Sequence, residues 1–371
     1  MTVTGRERIL AILNRQPPDR PCWTTLADAT TRSIMPAEMR NLAGLDFFRY
    51  VGCDIMMFGN WELPPEVQVK YPARIEEPVE WQTNESGGLQ IRQARSRWGT
   101  LTATFGRGHP VRYPVDSLET LRTLKEIYLH AQVTEDKSRE PEESYRRCEA
   151  AIGQDGVFFA TTDPSPVQHL LELSMGAENF YYLLQDYPGE MEELLAAMHR
   201  LRVQEYEILA RRLPAPALMP VENTSSTLIS PDLYRKYSLP QIRDYCEAAH
   251  SHGKKVILHM CGLLKNLLPL VAETGMDGVN ALTPPPVGDC TFETALDMLG
   301  EDLPIVGGVF PANSFHMPNT MRCNIWDGLD RLYTDRVRRA NLLLWVAVDG
   351  IPTPMDRLLA VRDWFAAQKP V

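Results

Sequence analysis

Lys255-Val-Ile-Leu-His259-Met-Cys261-Gly262 is the stretch on which the reading of the fold turns. Its first half is apolar and β-branched, the signature of a buried strand. It ends on two metal-binding side chains and a glycine. Residues two apart on a strand point to the same side. The pattern therefore predicts that His259 and Cys261 face one way at the strand's C-terminal end. Imidazole nitrogen and thiolate sulfur are favoured ligands of Zn2+, and a tetrahedral site needs one or two more from elsewhere. The competing reading is a buried core cysteine beside a hydrogen-bonded histidine.

Outward from this stretch the pattern alternates. Residues 217–221 and 157–161 read as strands upstream, and 278–282, 304–308 and 342–348 downstream. Nearer the N-terminus, 21–26 and 53–58 add two more. Helical patterns separate them at 166–186, 188–212, 231–251, 263–274, 291–300, 320–340 and 354–367. A first helix opens on the capping box Thr4-Gly-Arg-Glu7 and stops before Pro17-Pro18, and 33–51 also reads as helical. Eight strands separated by helices, without a glycine-rich dinucleotide fingerprint, predict an α/β fold: a single (β/α)8 TIM-type barrel over residues 1–371. Residues 59–115 break the alternation. Glu80-Trp-Gln-Thr, Gly87-Gly88, Leu89-Gln-Ile-Arg-Gln-Ala and Trp98-Gly-Thr-Leu-Thr-Ala-Thr-Phe105 read as antiparallel strands and turns, a β-rich excursion from the barrel.

At 371 residues, 44% hydrophobic and 23% charged, the chain has the composition of a globular protein with a large core. A net charge of −10 and the lack of a basic run argue against nucleic acid or an anionic membrane as partners. The N-terminal residues carry no secretory apolar region, and no run reaches membrane-spanning length. Seven scattered cysteines do not form a disulfide framework. A cytoplasmic protein with reduced thiols is the expectation.

Active sites of such barrels lie at the C-terminal ends of the strands. The polar residues there are Glu222-Asn223, then His259 and Cys261, then Asn280 and Thr283, Gly307-Gly308, and Asp349-Gly350. His259, Cys261 and Asp349, with Glu222 as a fourth ligand or a base, would converge on the barrel axis and hold a metal. Glu222 and Asn223 are the candidate catalytic residues. The bland alternatives are that Asp349 caps a turn and that Glu222-Asn223 cap the helix after Ser230-Pro231. Cys290 and Cys323 read as incidental.

Several segments resemble the uroporphyrinogen decarboxylase superfamily. Arg6-Glu-Arg-Ile-Leu-Ala-Ile-Leu-Asn14 with Pro18-Asp19-Arg20-Pro21 is similar to the family's opening. Ile229-Ser-Pro-Asp-Leu-Tyr-Arg-Lys-Tyr-Ser-Leu-Pro240, Gly253 to Gly262 and Gly350-Ile-Pro-Thr-Pro354 are similar to its later parts. The resemblance implies a (β/α)8 barrel. The decarboxylase branch needs no metal and grips an acidic tetrapyrrole with N-terminal arginines in an Arg-Gln-Ala-Gly-Arg-type segment. Here the matching place reads Thr24-Thr-Leu-Ala-Asp-Ala-Thr-Thr-Arg32, so that motif is absent. The other branch, corrinoid-linked methyltransferases, carries His-x-Cys plus a distant Cys as zinc ligands. His259 and Cys261 match the first two, and Asp349 stands where the distant Cys would be. A carboxylate there makes a harder, more Lewis-acidic site than a third thiolate.

The resemblance implies a zinc-dependent methyltransferase moving a methyl group between a small-molecule donor or acceptor and a corrinoid (methylcobamide). No Asp-x-His-x-x-Gly corrinoid-holding motif occurs, so the corrinoid would arrive on a separate protein. The alternative is a metal-free decarboxylase of a uroporphyrinogen-like acidic tetrapyrrole, for which Arg32, Arg40 and Arg49 are the nearby cations. A non-catalytic binding protein on a barrel scaffold is the third reading.

Overall fold

The apolar runs form strands because both of their faces are covered. A computed structural model describes residues 3–26, 33, 35–42, 44–61, 63–106, 108–310, 321–347 and 354–369. Strands β1 (Cys22–Leu26) and β2 (Ile55–Phe58) come first. The excursion supplies β3 (Ala73–Glu76), β4 (Glu80–Ser86), β5 (Leu89–Ser96), β6 (Gly99–Gly106) and β7 (His109–Arg112), followed by β8 (Gln132–Glu135). Then come β9 (Gly156–Thr162), β10 (Ala217–Pro220), β11 (Lys255–His259), β12 (Gly278–Asn280), β13 (Ile305–Val309) and β14 (Leu342–Ala347). Eight of them form one sheet in the order β1-β14-β13-β12-β11-β10-β9-β2, and every pairing along it is parallel. At the seam between β1 and β2 the Asp54 N–H donates to the Trp23 carbonyl at 2.9 Å, and Met56 N donates to the Thr24 hydroxyl at 3.3 Å. The sheet is thus a nearly closed barrel, as the strand pattern predicts.

Alternation along the strands splits the core in two. Met56, Phe58, Val157, Phe159, Met219, Ile257 and Leu343 fill the lumen. Their sequence neighbours Met57, Phe158, Leu218, Leu258 and Leu344 belong to the layer between strands and helices. Helix Gly5–Leu13 joins the lumen cluster through Ile9, Ile12 and Leu13 and so closes the N-terminal end of the barrel. Its start is the predicted capping box, with Glu7 N held by the Thr4 hydroxyl and Thr4 N by the Glu7 carboxylate. From this plug Arg8 reaches Asp54 at 2.6 Å and Asp19 at 2.7 Å.

The excursion is a meander, β4-β5-β6-β7, with β3 paired to β8 beside it. Gly87 and Gly88 turn β4 into β5 with φ of 58° and 76°, the left-handed values of a tight two-residue hairpin. β6 packs on helix Leu118–His130.

Several expected helices are shorter. The 33–51 pattern yields Ala37–Arg40 and Leu45–Val51, parted by Gly44 at φ 49°. The 320–340 pattern yields Arg322–Leu332 and Asp335–Arg338, the second capped by the Thr334 hydroxyl. The 263–274 pattern yields only Leu268–Ala272. Helix Pro166–His169 widens into a π-turn over Leu170–Ser174, where Met175 N reaches back to Leu170 O. Among the described residues no helix is long and apolar enough to cross a membrane.

Candidate functional site

β11 ends at His259, two residues before the sequence pattern places its end. Met260 N still pairs with Asn280 O at 3.0 Å, but Cys261 has left the ladder. His259 is buried and Cys261 is exposed. They remain side by side at the C-terminal end of the barrel.

Parallel pairing of β11 with β12 sets His259 opposite Asn280. The side chains meet at 2.5 Å, His259 Nδ1 to Asn280 Oδ1. Asn280 in turn donates its amide nitrogen to the Val306 carbonyl. A carbonyl can only accept, so the amide nitrogen of Asn280 faces Val306 and its oxygen faces His259. His259 must then carry its proton on Nδ1, which leaves the ring's lone pair on Nε2. Burial lowers the His259 pKa, opposed by the Asn280 bond, so the ring is neutral near pH 7. A neutral imidazole with Nδ1–H anchored on a fixed acceptor is the form in which histidine binds metals or takes protons. Gly307, at φ 90° in a bulge of β13, makes room for this. A Cβ there would lie 2.4 Å from the Asn280 amide nitrogen. The rings of Phe58 and Trp345 stand 5.0 and 6.3 Å from the imidazole. The Trp345 indole N–H is buried with no partner among the described residues.

Cys261 lies against the next strand end. Its thiol donates to Asn223 Oδ1 at 3.3 Å. Asn223 has φ 44°, a left-handed value that asparagine tolerates, and its N–H donates to the His259 carbonyl at 3.1 Å. Its side-chain nitrogen donates to both oxygens of Glu172, at 3.0 and 3.2 Å. Gln168 also donates to Glu172, at 3.2 Å. Crowding around the sulfur, then the Glu172 carboxylate, raise the Cys261 pKa. A bare Cys261 is therefore a thiol at neutral pH, and a cation beside it would favour the thiolate.

Glu222 is placed differently from the expectation. It is fully buried, and Ser165 binds both of its oxygens, through N–H at 2.6 Å and hydroxyl at 2.8 Å. Burial raises its pKa to about 7, against the Ser165 bonds. It ties the β10 end to the loop after β9 and does not stand with His259 and Cys261. Among the described residues no three His, Cys, Asp or Glu side chains form a group that could hold a metal. Asp349 lies outside the described residues, as does Arg32. Arg40 is exposed, and Arg49 pairs with Asp155 at the N-terminal end of β9, away from the site. Thr283 bonds locally, donating to the Ala281 carbonyl at 2.9 Å.

Sequence reasoning missed Glu172. Its signal was a polar pair four residues apart, Gln168 and Glu172, which one face of a helix brings together.

Residues 168–321 match the family model described as uroporphyrinogen decarboxylase (URO-D). That segment holds Glu172, Glu222, Asn223, His259, Cys261 and Asn280, and the match bears out the resemblance drawn from the motifs. Among solved structures, a methyltransferase from Methanosarcina mazei superimposes with a TM-score of 0.56 at 16% identity, covering 99% of this chain and 100% of that one. At that identity the likeness establishes the shared fold. No curated protein matches the chain.

Proposed function

We propose that this protein is an enzyme of the methyltransferase branch of the superfamily, moving a methyl group between a small substrate and a corrinoid. In this reading Zn2+ is held by His259 and Cys261, with Asp349 as third ligand, and the corrinoid is presented by a separate protein in the cytoplasm. The carrying observation is the Val306–Asn280–His259 chain of hydrogen bonds, which fixes a neutral ring with its lone pair on Nε2. Beside this ring stands the accessible Cys261 thiol, the second donor. The donor set fits zinc: one neutral imidazole and one accessible thiol. The TM-score to a methyltransferase and the URO-D match favour the branch over an unrelated barrel enzyme.

When bound, zinc would stabilise the thiolate of an acceptor or polarise the oxygen of a methyl ether. The chain's own groups have separate tasks. Asn280 holds the His259 proton on Nδ1. Asn223, fixed by Glu172, keeps an acceptor oxygen against the Cys261 sulfur. Phe58 and Trp345 exclude water from one side of the imidazole. Glu222, with a pKa of about 7, can hold or release a proton at its carboxyl while anchoring Ser165.

Protein purified without chelator is expected to contain zinc in stoichiometric amount, with a sharp fall in Cys261→Ala and in His259→Ala. Zinc-loaded protein should demethylate methylcobalamin in the presence of a suitable acceptor, or methylate cob(I)alamin from a methylated substrate. Wild type without any divalent metal, or metal content unchanged in Cys261→Ala, overturns the reading.

A further inference from the structure

Beneath the excursion sheet lies a cavity of about 330 Å³. Its roof is β4, β5 and β6; its floor is helix Leu118–His130 and the turn of helix at 169–174. The volume is at the lower end of the ~300–1,000 Å³ typical of small-molecule sites. Leu101, Leu124 and Ile127 are buried and make the walls apolar. Trp81, 63% exposed, stands at the rim with Arg92.

One end of the cavity is polar. Glu77, Tyr128 and His169 meet there. Among the described residues lining the space, Glu77 supplies the one carboxyl group. Burial raises its pKa, relieved in part by a bond from the Tyr128 hydroxyl. His169 Nδ1 is buried without a partner among the described residues, and burial holds that ring's pKa down to about 4, so it is uncharged at pH 7. Arg92, at the rim, donates to the neutral Gln90 at 2.7 Å and lies over the Phe105 ring, which also lines the cavity. The Glu77 end is therefore rich in acceptors, and Arg92, the one arginine or lysine among the described lining residues, stands at the rim.

The cavity shares a helix with the candidate site. Gln168 and Glu172, four residues apart, face Asn223. His169 and Leu173, one position on, line the cavity.

We propose that this cavity is a binding site for a small aromatic amine, its ring against the apolar walls and its ammonium group at Glu77. A desolvated carboxyl at the end of an apolar slot selects a cation over a neutral or anionic molecule of equal size. The ligand would lie against a helix whose other face holds Asn223 and, through it, touches Cys261.

Calorimetric titration of the full chain with phenethylamine, and with phenylacetate as an anionic counterpart of similar size, tests this. Phenethylamine is expected to bind saturably, and phenylacetate at least about ten-fold more weakly, as befits a charged hydrogen bond. Glu77→Gln should weaken phenethylamine binding by about ten-fold or more. Ala103→Phe, which fills the cavity, should abolish it. Should Ala103→Phe lower the unfolding midpoint, Leu173→Trp, at the partly exposed edge, fills the same space. No saturable binding of phenethylamine, equal binding of phenylacetate, or binding that survives both filling substitutions overturns the proposal.

Discussion

At the N-terminal end of the barrel, Arg8 lies between Asp54 at 2.6 Å and Asp19 at 2.7 Å, and donates to the Val3 carbonyl at 3.0 Å. At the C-terminal end, His259 spends Nδ1 on Asn280 and keeps a lone pair on Nε2, while Cys261 is exposed with a single weak bond to Asn223. Each end of the one barrel holds a buried titratable group, Arg8 at the first and His259 at the second. At the first, one guanidinium bridges two carboxylates and a helix plugs the opening. At the second, binding capacity is left over. The contrast separates polar groups that hold a barrel together from those that do chemistry on it.

The largest expected effect concerns the sealed end. Arg8→Met should destabilise the fold by about 3–5 kcal/mol, because it leaves Asp54 buried without its cation. Urea denaturation measures this, and the zinc content of the surviving folded protein should not change. A variant as stable as wild type would show that the two ends are not distinct in kind.

The next lies between the ends. Glu222 titrates at about 7 in the folded chain against an ordinary value of 4.5. The folded state therefore holds this proton more tightly than the unfolded one. The resulting stability is fully present below about pH 4.5 and is lost as pH rises through about 7, a change on the order of 3 kcal/mol. Glu222→Gln should flatten that part of the stability–pH curve. If the curve keeps its slope between pH 5 and 7 in the variant, another group carries it.

The third sharpens the open end. Asn280→Ala removes the acceptor that selects the His259 tautomer, and zinc affinity should fall about 10- to 100-fold. Competition with a chromophoric chelator reads this directly. Unchanged affinity would mean that the Asn280 bond serves packing only.

The barrel was legible because its signal is local and repeated. Each strand is a short run buried on both faces, so 157–161 or 255–259 reads as strand without knowledge of its neighbours. The mouth was legible in residue type but not in relation. His259 and Cys261 stand out in the chain, whereas Asn280 becomes a partner of His259 only through the parallel register of β11 and β12. The bulge at Gly307 that admits the Asn280 amide follows from β13–β14 pairing and leaves no local mark. Periodicity carries no stop signal, so the pattern extends the strand to Cys261, whereas β11 ends at His259. Glu222 looked like a ligand at a strand end; Ser165, 57 residues earlier, holds both of its oxygens. Helices failed at glycines and turns, as at Gly44, where a positive φ interrupts an apolar pattern that otherwise continues.

The central claim is that the open end of the barrel holds a metal with one sulfur from the chain. Zinc K-edge absorption on stoichiometrically loaded protein tests it most directly. One sulfur at about 2.3 Å is expected, lost in Cys261→Ser, with the remaining ligands nitrogen or oxygen at about 2.0–2.2 Å. A spectrum without protein sulfur, or with two or more sulfurs, would contradict it.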